Sequence, residues 1–338
     1  LFFRVMPAEM ASAVDVWLDC DPGHDDVMAI LLAAYHPKIH LLGVSTVHGN
    51  QSVDKTTFNA ARFLTAAGVQ HIRVVAGCTK PLMRTARHDP EIHGECGLGG
   101  SADLDRVQPD PRITLPSTTK ALDYTAQAIL RNLRPVTLVA TGALTNVALL
   151  LLAYPEVKAH LSMISIMGGA IGVGNRSPVA EFNILCDPEA AKVVFESGVK
   201  VVMVPLEVTH TALATPSVLQ RINSLQTPFA RMITDLLLFF KDTYKQVFGF
   251  ESPPLHDPCA VAYVIAPELF ETKLLRVDVE CSGLCTGQTV CDVWHDSSQP
   301  KNVHVATKLD VPSFWDLFLR VVTEANRRSP LNQVTSRL

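Results

Sequence analysis

At the end of the first apolar run, Leu18-Asp19-Cys20-Asp21-Pro22-Gly23-His24-Asp25-Asp26 places four carboxylates within eight residues. Like charges packed that closely repel one another unless a cation neutralises them. Carboxylate oxygens are hard ligands, which suits Ca²⁺ or Mg²⁺. Pro22-Gly23 makes a turn that can fold Asp21 back toward Asp25 and Asp26, and a helix starting there favours their ionised forms. Taken singly, Asp25 and Asp26 would be helix caps and Asp19 a solvated side chain. Four acids around one Pro-Gly turn favour a metal site instead.

A metal needs ligands from elsewhere, and the chain offers several. His256-Asp257-Pro258 opens a helix after a proline-rich loop, although Asp before Pro is also a common helix start. Thr141-Gly142-Ala143-Leu144-Thr145-Asn146 follows an apolar strand and offers a backbone carbonyl. Asn50 closes His48-Gly49-Asn50, where Asn after Gly by itself marks only a turn. Asn175, Glu181, Phe182 and Asn183 share one loop whose polar groups suit the hydroxyls of a sugar. No glycine run forms a phosphate-binding loop. His36, His40, His71, His160, His210, His295 and His304 lie outside these acidic motifs and read as ordinary surface or core residues.

The elements that must position these groups alternate. Strand-like runs at 14–20, 39–46, 72–76, 136–141, 161–167 and 199–205 are separated by helical spacing at 26–35, 52–67, 118–133, 144–153 and 188–197. Apolar strands alternating with helices imply βαβ units and an open, mostly parallel sheet with helices on both faces. Helical spacing follows at 228–247 and 258–266. Short strands at 274–281, 289–294 and 303–309 then suggest a small antiparallel addition near the C-terminus, before a last helix at 311–327. Two connections, 77–116 and 168–185, are long enough to be functional loops. The division expected is an N-terminal extension over 1–13, disordered, a single α/β domain over 14–327, and a frayed tail over 328–338.

Composition sets the outer bounds. The 338 residues are 48% hydrophobic and 18% charged, with a formal charge of −4. No basic run exists to neutralise a phosphate backbone, so nucleic acid is excluded as a partner. No apolar stretch is long enough to span a bilayer, and Arg4 and Glu9 interrupt any signal-type core. Starting at Leu1 leaves room for an upstream segment. The eight cysteines show no zinc-finger spacing and read as reduced thiols.

Together these motifs resemble the inosine-uridine-preferring nucleoside hydrolase family. The resemblance begins with Asp19-Cys20-Asp21-Pro22-Gly23-His24-Asp25-Asp26 and continues through Thr46-Val47-His48-Gly49-Asn50 and Ile92-His93-Gly94-Glu95. It then runs through Thr141–Asn146, Met167-Gly168-Gly169, Glu181-Phe182-Asn183, Asp187-Pro188-Glu189-Ala190 and His256-Asp257-Pro258, in the family's order. It implies hydrolysis of the N-glycosidic bond of ribonucleosides by a Ca²⁺-bound water activated by Asp21. Asp21, Asp26, Asp257 and the Thr141 carbonyl would hold the ion, and Asn50 would orient the water or Asp21. Asp25, Asn183 and Asp257 would bind the ribose 2′- and 3′-hydroxyls, with Asn175 and Glu181 toward the 3′- and 5′-hydroxyls. Met167, Phe182 and His93 would line the pocket with Tyr244. His256 would protonate the leaving base, its ordinary pKa lying near working pH. The family also implies a homodimer or homotetramer.

Two positions depart from the family pattern. Its base-side helix often carries a Tyr followed shortly by an Arg, whereas here Tyr244 is followed by Phe248. His24 stands where an apolar residue is common. Two other readings compete with the nucleosidase: a nucleoside-binding protein of the same fold without turnover, and a haloacid-dehalogenase-type phosphohydrolase suggested by Asp19-Cys20-Asp21. The second leaves Glu181-Phe182-Asn183 and His256-Asp257 without a purpose. Asn50-Gln51-Ser52 and Asn175-Arg176-Ser177 are glycosylation sequons on expected site residues, which favours the cytosol.

Overall fold

The computed structural model describes residues 13–334. The expected extension therefore lies almost wholly outside the described residues. Strands β1 (Val14–Cys20), β2 (Ile39–Thr46), β3 (Val74–Ala76), β4 (Val136–Ala140), β5 (Leu161–Met167), β6 (Val201–Val204), β7 (Phe270–Leu275) and β10 (Val303–Leu309) form one sheet. Its order is β3-β2-β1-β4-β5-β6-β10-β7, parallel throughout except for β7, which runs antiparallel to β10. β8 (Val277–Val279) and β9 (Thr289–Cys291) make a separate antiparallel ribbon.

Helices cover both faces, which is why the central strands are apolar on both sides. The helices are α1 (His24–Tyr35), α2 (Val53–Ala67), α3 (Pro90–His93), α4 (Ala102–Asp105), α5 (Ala121–Leu130), α6 (Thr145–Ala153) and α7 (Phe182–Cys186). They continue with α8 (Pro188–Phe195), α9 (Leu206–Thr209), α10 (Pro216–Asn223), α11 (Pro228–Phe248), α12 (Asp257–Ile265), α13 (Val311–Arg328) and α14 (Leu331–Val334). Alternation along β1 divides the core in two. Val16, Leu18 and Cys20 pack with α1, α12 and α13, while Trp17 faces α5 and α6. The 21-residue α11 begins where the Thr227 hydroxyl accepts from the Ala230 amide and ends at Gly249, whose φ of 75° few other residues adopt.

Three expectations change. The run 303–309 is not part of the antiparallel addition: β10 enters the main sheet beside β6, because its buried Val303 and Val305 complete that sheet's core. The run 274–281 divides between β7 and β8. Beyond Arg328 the chain does not fray at once, since the buried Ser329 hydroxyl donates to the Ala66 carbonyl and Asn332 accepts from the Phe229 amide.

Strand order reverses at β1, which has β2 on one side and β4 on the other. At such a switch point the loops leaving the carboxyl ends of neighbouring strands part and open a crevice. Asp21 follows β1, Asn50 follows β2, Thr141 follows β4, and Met167 ends β5.

Candidate active site

The floor of the crevice is acidic and buried. Asp26 caps the start of its own helix, accepting from the amides of Gly23 at 3.0 Å and Asp21 at 3.2 Å. It also accepts from the Thr141 hydroxyl at 2.9 Å and the Asn50 amide nitrogen at 3.0 Å. Asp21 accepts from the Asn50 backbone at 2.7 Å through Oδ2, while its buried Oδ1 has no partner among the described residues. A Cβ at Gly49 or Gly142 would run into this carboxylate, so both glycines permit its close approach.

Asp25, Asp26 and Asp257 complete the floor, each offering a carboxylate oxygen within 4.8 Å of the others. Burial followed by the neighbouring Asp26 pushes Asp25 up to about 8, and burial with Asp25 beside it raises Asp257 well above the carboxylate range. Asp21 is raised by the same causes, burial and then Asp26. Buried carboxylates that cannot all ionise together, with one oxygen left unsatisfied, form a donor set that a hard divalent cation completes. Asp25, which the sequence places on the sugar, belongs geometrically to this trio as well.

Above the floor, the loop after β5 builds a polar wall. The Glu181 carboxylate accepts from the amides of Asn183, Gly169 and Ile184 at 2.9–3.1 Å, and burial pushes it up to about 7. These bonds hold α7 so that the Asn183 side chain donates to the Thr141 carbonyl at 2.8 Å. Asn175 Oδ1 accepts from the Phe182 amide at 2.9 Å, and its amino group has no partner among the described residues.

The opposite wall is aromatic. His256, at the start of α12, contacts the Thr209 hydroxyl through Nδ1 and the Tyr244 hydroxyl through Nε2, both at 2.7 Å. Burial, with His210 alongside, pushes His256 well below the usual histidine range. Burial thus opposes protonation of the histidine expected to serve the leaving base, and the Tyr244 hydroxyl stands at its Nε2. His24 also stays out of the pocket. Its ring lies stacked 5.0 Å from Phe239 and 5.5 Å from Phe240, and its Nε2 contacts the Gly99 carbonyl at 2.9 Å. Its Nδ1 abuts that of His93, 3.2 Å away.

Of the residues singled out from the sequence, Asp25, Asn50, His93, Thr141, Met167, Asn175, Glu181, Phe182, Asn183, Tyr244, His256 and Asp257 all line one pocket. Asp21 and Asp26 lie buried directly beneath it. Five further lining residues had been given no role: Asp89, Ile92, Arg176, Phe240 and Phe248. Phe240 and Phe248 lie one helical turn on either side of Tyr244, a spacing that points them to the same face. For Asp89 and Arg176 the sequence held no such signal, since they meet across two loops.

A sequence model described as inosine-uridine preferring nucleoside hydrolase matches residues 16–316. A probable ribonucleoside hydrolase from Dictyostelium discoideum is 48% identical over 320 residues, covering 91% of this chain and 94% of that protein. The pyrimidine-specific ribonucleoside hydrolase RihA from Shewanella baltica is 44% identical over 318 residues, covering 92% and 98%. Among solved structures, a purine-preferring ribonucleoside hydrolase from Gardnerella vaginalis superposes with a TM-score of 0.85 at 29% identity, covering 93% of this chain and 99% of that one.

Proposed function

Because this chain belongs to the inosine-uridine preferring nucleoside hydrolase family and cleaves the N-glycosidic bond of ribonucleosides to base and ribose, we propose that Asp21 is its general base and the Tyr244–His256 pair its route of protonation. One observation carries this reading most directly. The acidic floor, the hydroxyl-reading loop and the Tyr244–His256 pair face a single pocket at the switch point of the sheet.

Asp21, Asp26, Asp257 and the Thr141 carbonyl would hold Ca²⁺. When bound, the ion supplies a Lewis acid that lowers the pKa of water and anchors vicinal hydroxyls. The unpartnered Oδ1 of Asp21 accepts the proton of the attacking water, and Asn50 fixes the other oxygen of that carboxylate. Asp25, Asn183 and Asp257 take the 2′- and 3′-hydroxyls, while Asn175 and Glu181 take the 3′- and 5′-hydroxyls. Positive charge growing on the ribose is stabilised by the anionic floor. On the far side, the Tyr244 hydroxyl, in contact with His256 that Thr209 holds in place, would donate to the departing base, and a proton taken up from solvent through His256 would restore it. His93, Met167 and Phe182 shape the ribose pocket.

The phosphohydrolase alternative leaves Tyr244, His256 and the Glu181 loop without a role, and the family membership replaces it. The assembly is a homodimer or homotetramer and the compartment the cytosol. Supporting the latter, Asn50 of one sequon is buried and hydrogen-bonded to Asp21 and Asp26, so a glycan there would dismantle the site.

The test is release of free base and ribose from inosine, uridine, adenosine and cytidine, with and without a chelator. Hydrolysis that stops on chelation and returns with Ca²⁺ supports the reading. Turnover that survives exhaustive chelation would remove the ion from it.

A further inference from the structure

The rim of the pocket carries a cation that the reaction described above does not use. Arg176 lies in the loop after β5, and its side chain is only 17% exposed. Its Nε donates to Asp89 Oδ2 at 3.1 Å, its Nη2 to Asp89 Oδ1, and its Nη1 to Glu91 Oε1 at 2.6 Å. A guanidinium has five N–H donors, so three are engaged and two remain, on a group that lines the pocket. The guanidinium carbon also sits 5.3 Å from the centre of the Phe248 ring, a cation–π contact.

Phe248 follows Tyr244 by four residues on α11, so the two rings share a face, 5.0 Å apart, and the loop after β5 lays the guanidinium over the Phe248 ring. The bidentate pair with the buried Asp89 fixes the plane of the guanidinium before any ligand arrives.

We infer that Arg176 is a base-binding residue of this enzyme, its free donors selecting uracil and hypoxanthine over adenine. This rests on the nucleoside-hydrolase reading. Guanidinium donates and never accepts, so it complements a carbonyl oxygen and has nothing to offer an exocyclic amino group.

The experiment compares Arg176→Ala and Arg176→Lys with the wild type on uridine, inosine and adenosine, and measures inhibition by free ribose. Arg176→Ala should lower kcat/KM for uridine and inosine by roughly 10- to 100-fold, the size of a lost charge-assisted hydrogen bond. Adenosine should fall by less than about threefold and ribose inhibition should stay within about threefold, because neither offers the carbonyl. Arg176→Lys should recover part of the loss. Should the alanine variant unfold, Arg176→Met keeps a stem over Phe248 and carries the same comparison. Equal losses on all three nucleosides with weakened ribose inhibition would make Arg176 a strut and overturn the inference, as would no loss on any. A wild type inert on every nucleoside is a different result, one that overturns the nucleosidase reading itself.

Discussion

The Tyr244 hydroxyl lies 2.7 Å from Nε2 of His256, the two meeting between the end of α11 and the start of α12. The histidine touches hydroxyl partners on both sides, Thr209 on Nδ1 and Tyr244 on Nε2, and burial pushes its pKa well below the usual histidine range. On the proposed reading the pair presents a proton toward the base, with the Tyr244 hydroxyl as its outer member. Tyr244→Phe should lower kcat for inosine and uridine by about 10²–10⁴-fold, the range of one general acid. His256→Ala should cost a similar factor, and the double variant little more than either, because the two act as one relay. Steady-state kinetics of the three variants decide this, and fully additive losses would separate the residues.

Asp21 is placed by Asn50 and has one free buried oxygen. Asp21→Asn keeps the shape and removes the base, so turnover should fall by at least about 10²-fold while free ribose still binds. Calorimetric titration with ribose beside the activity assay measures both. Strong residual turnover would take the base role away from Asp21.

Gly142 faces that same carboxylate, and a Cβ there would come within 2.6 Å of Asp21 Oδ1 and 2.9 Å of Val47 Cγ1. Gly142→Ala should displace Asp21, with a large loss of kcat and an overpacking cost of about 1–3 kcal/mol. Thermal unfolding and kinetics together test this. A variant with unaltered kcat would show that the floor yields more easily than its packing implies.

The acidic floor also fixes how stability depends on pH. Burial, then Asp26, holds Asp25 at about 8, and burial holds Glu181 at about 7, against ordinary values of 3.8 and 4.5. Each binds its proton more tightly when folded, so its contribution is present in full below pH about 4 and is lost as pH rises through about 7 to 8. In EDTA, Tm should therefore fall from about pH 5 to pH 9, and Ca²⁺ should raise it most at the alkaline end, where the carboxylates are ionised. Differential scanning calorimetry across that range is the measurement. A Tm that rises with pH in EDTA would show that the floor is not strained by its own charge.

Much of the site was legible because its chemistry is local in sequence. Four acids around Pro22-Gly23 cannot be packed together without a neutralising partner, and alternating strands and helices force a parallel sheet whose loops gather at one edge. That order of elements sets Asp21, Asn50, Thr141 and Met167 at strand ends, and the sheet order makes those strands neighbours. Other features depended on distance through space. β10 joined the main sheet only because its buried valines complete a core built by strands a hundred residues earlier. Burial lowers the pKa of His256, and its own sequence neighbourhood does not encode that burial. Arg176 met Asp89 and Phe248 across three separate segments. Residue type and periodicity determine local conformation and local charge; desolvation and contacts between distant loops arise only when the whole chain is packed.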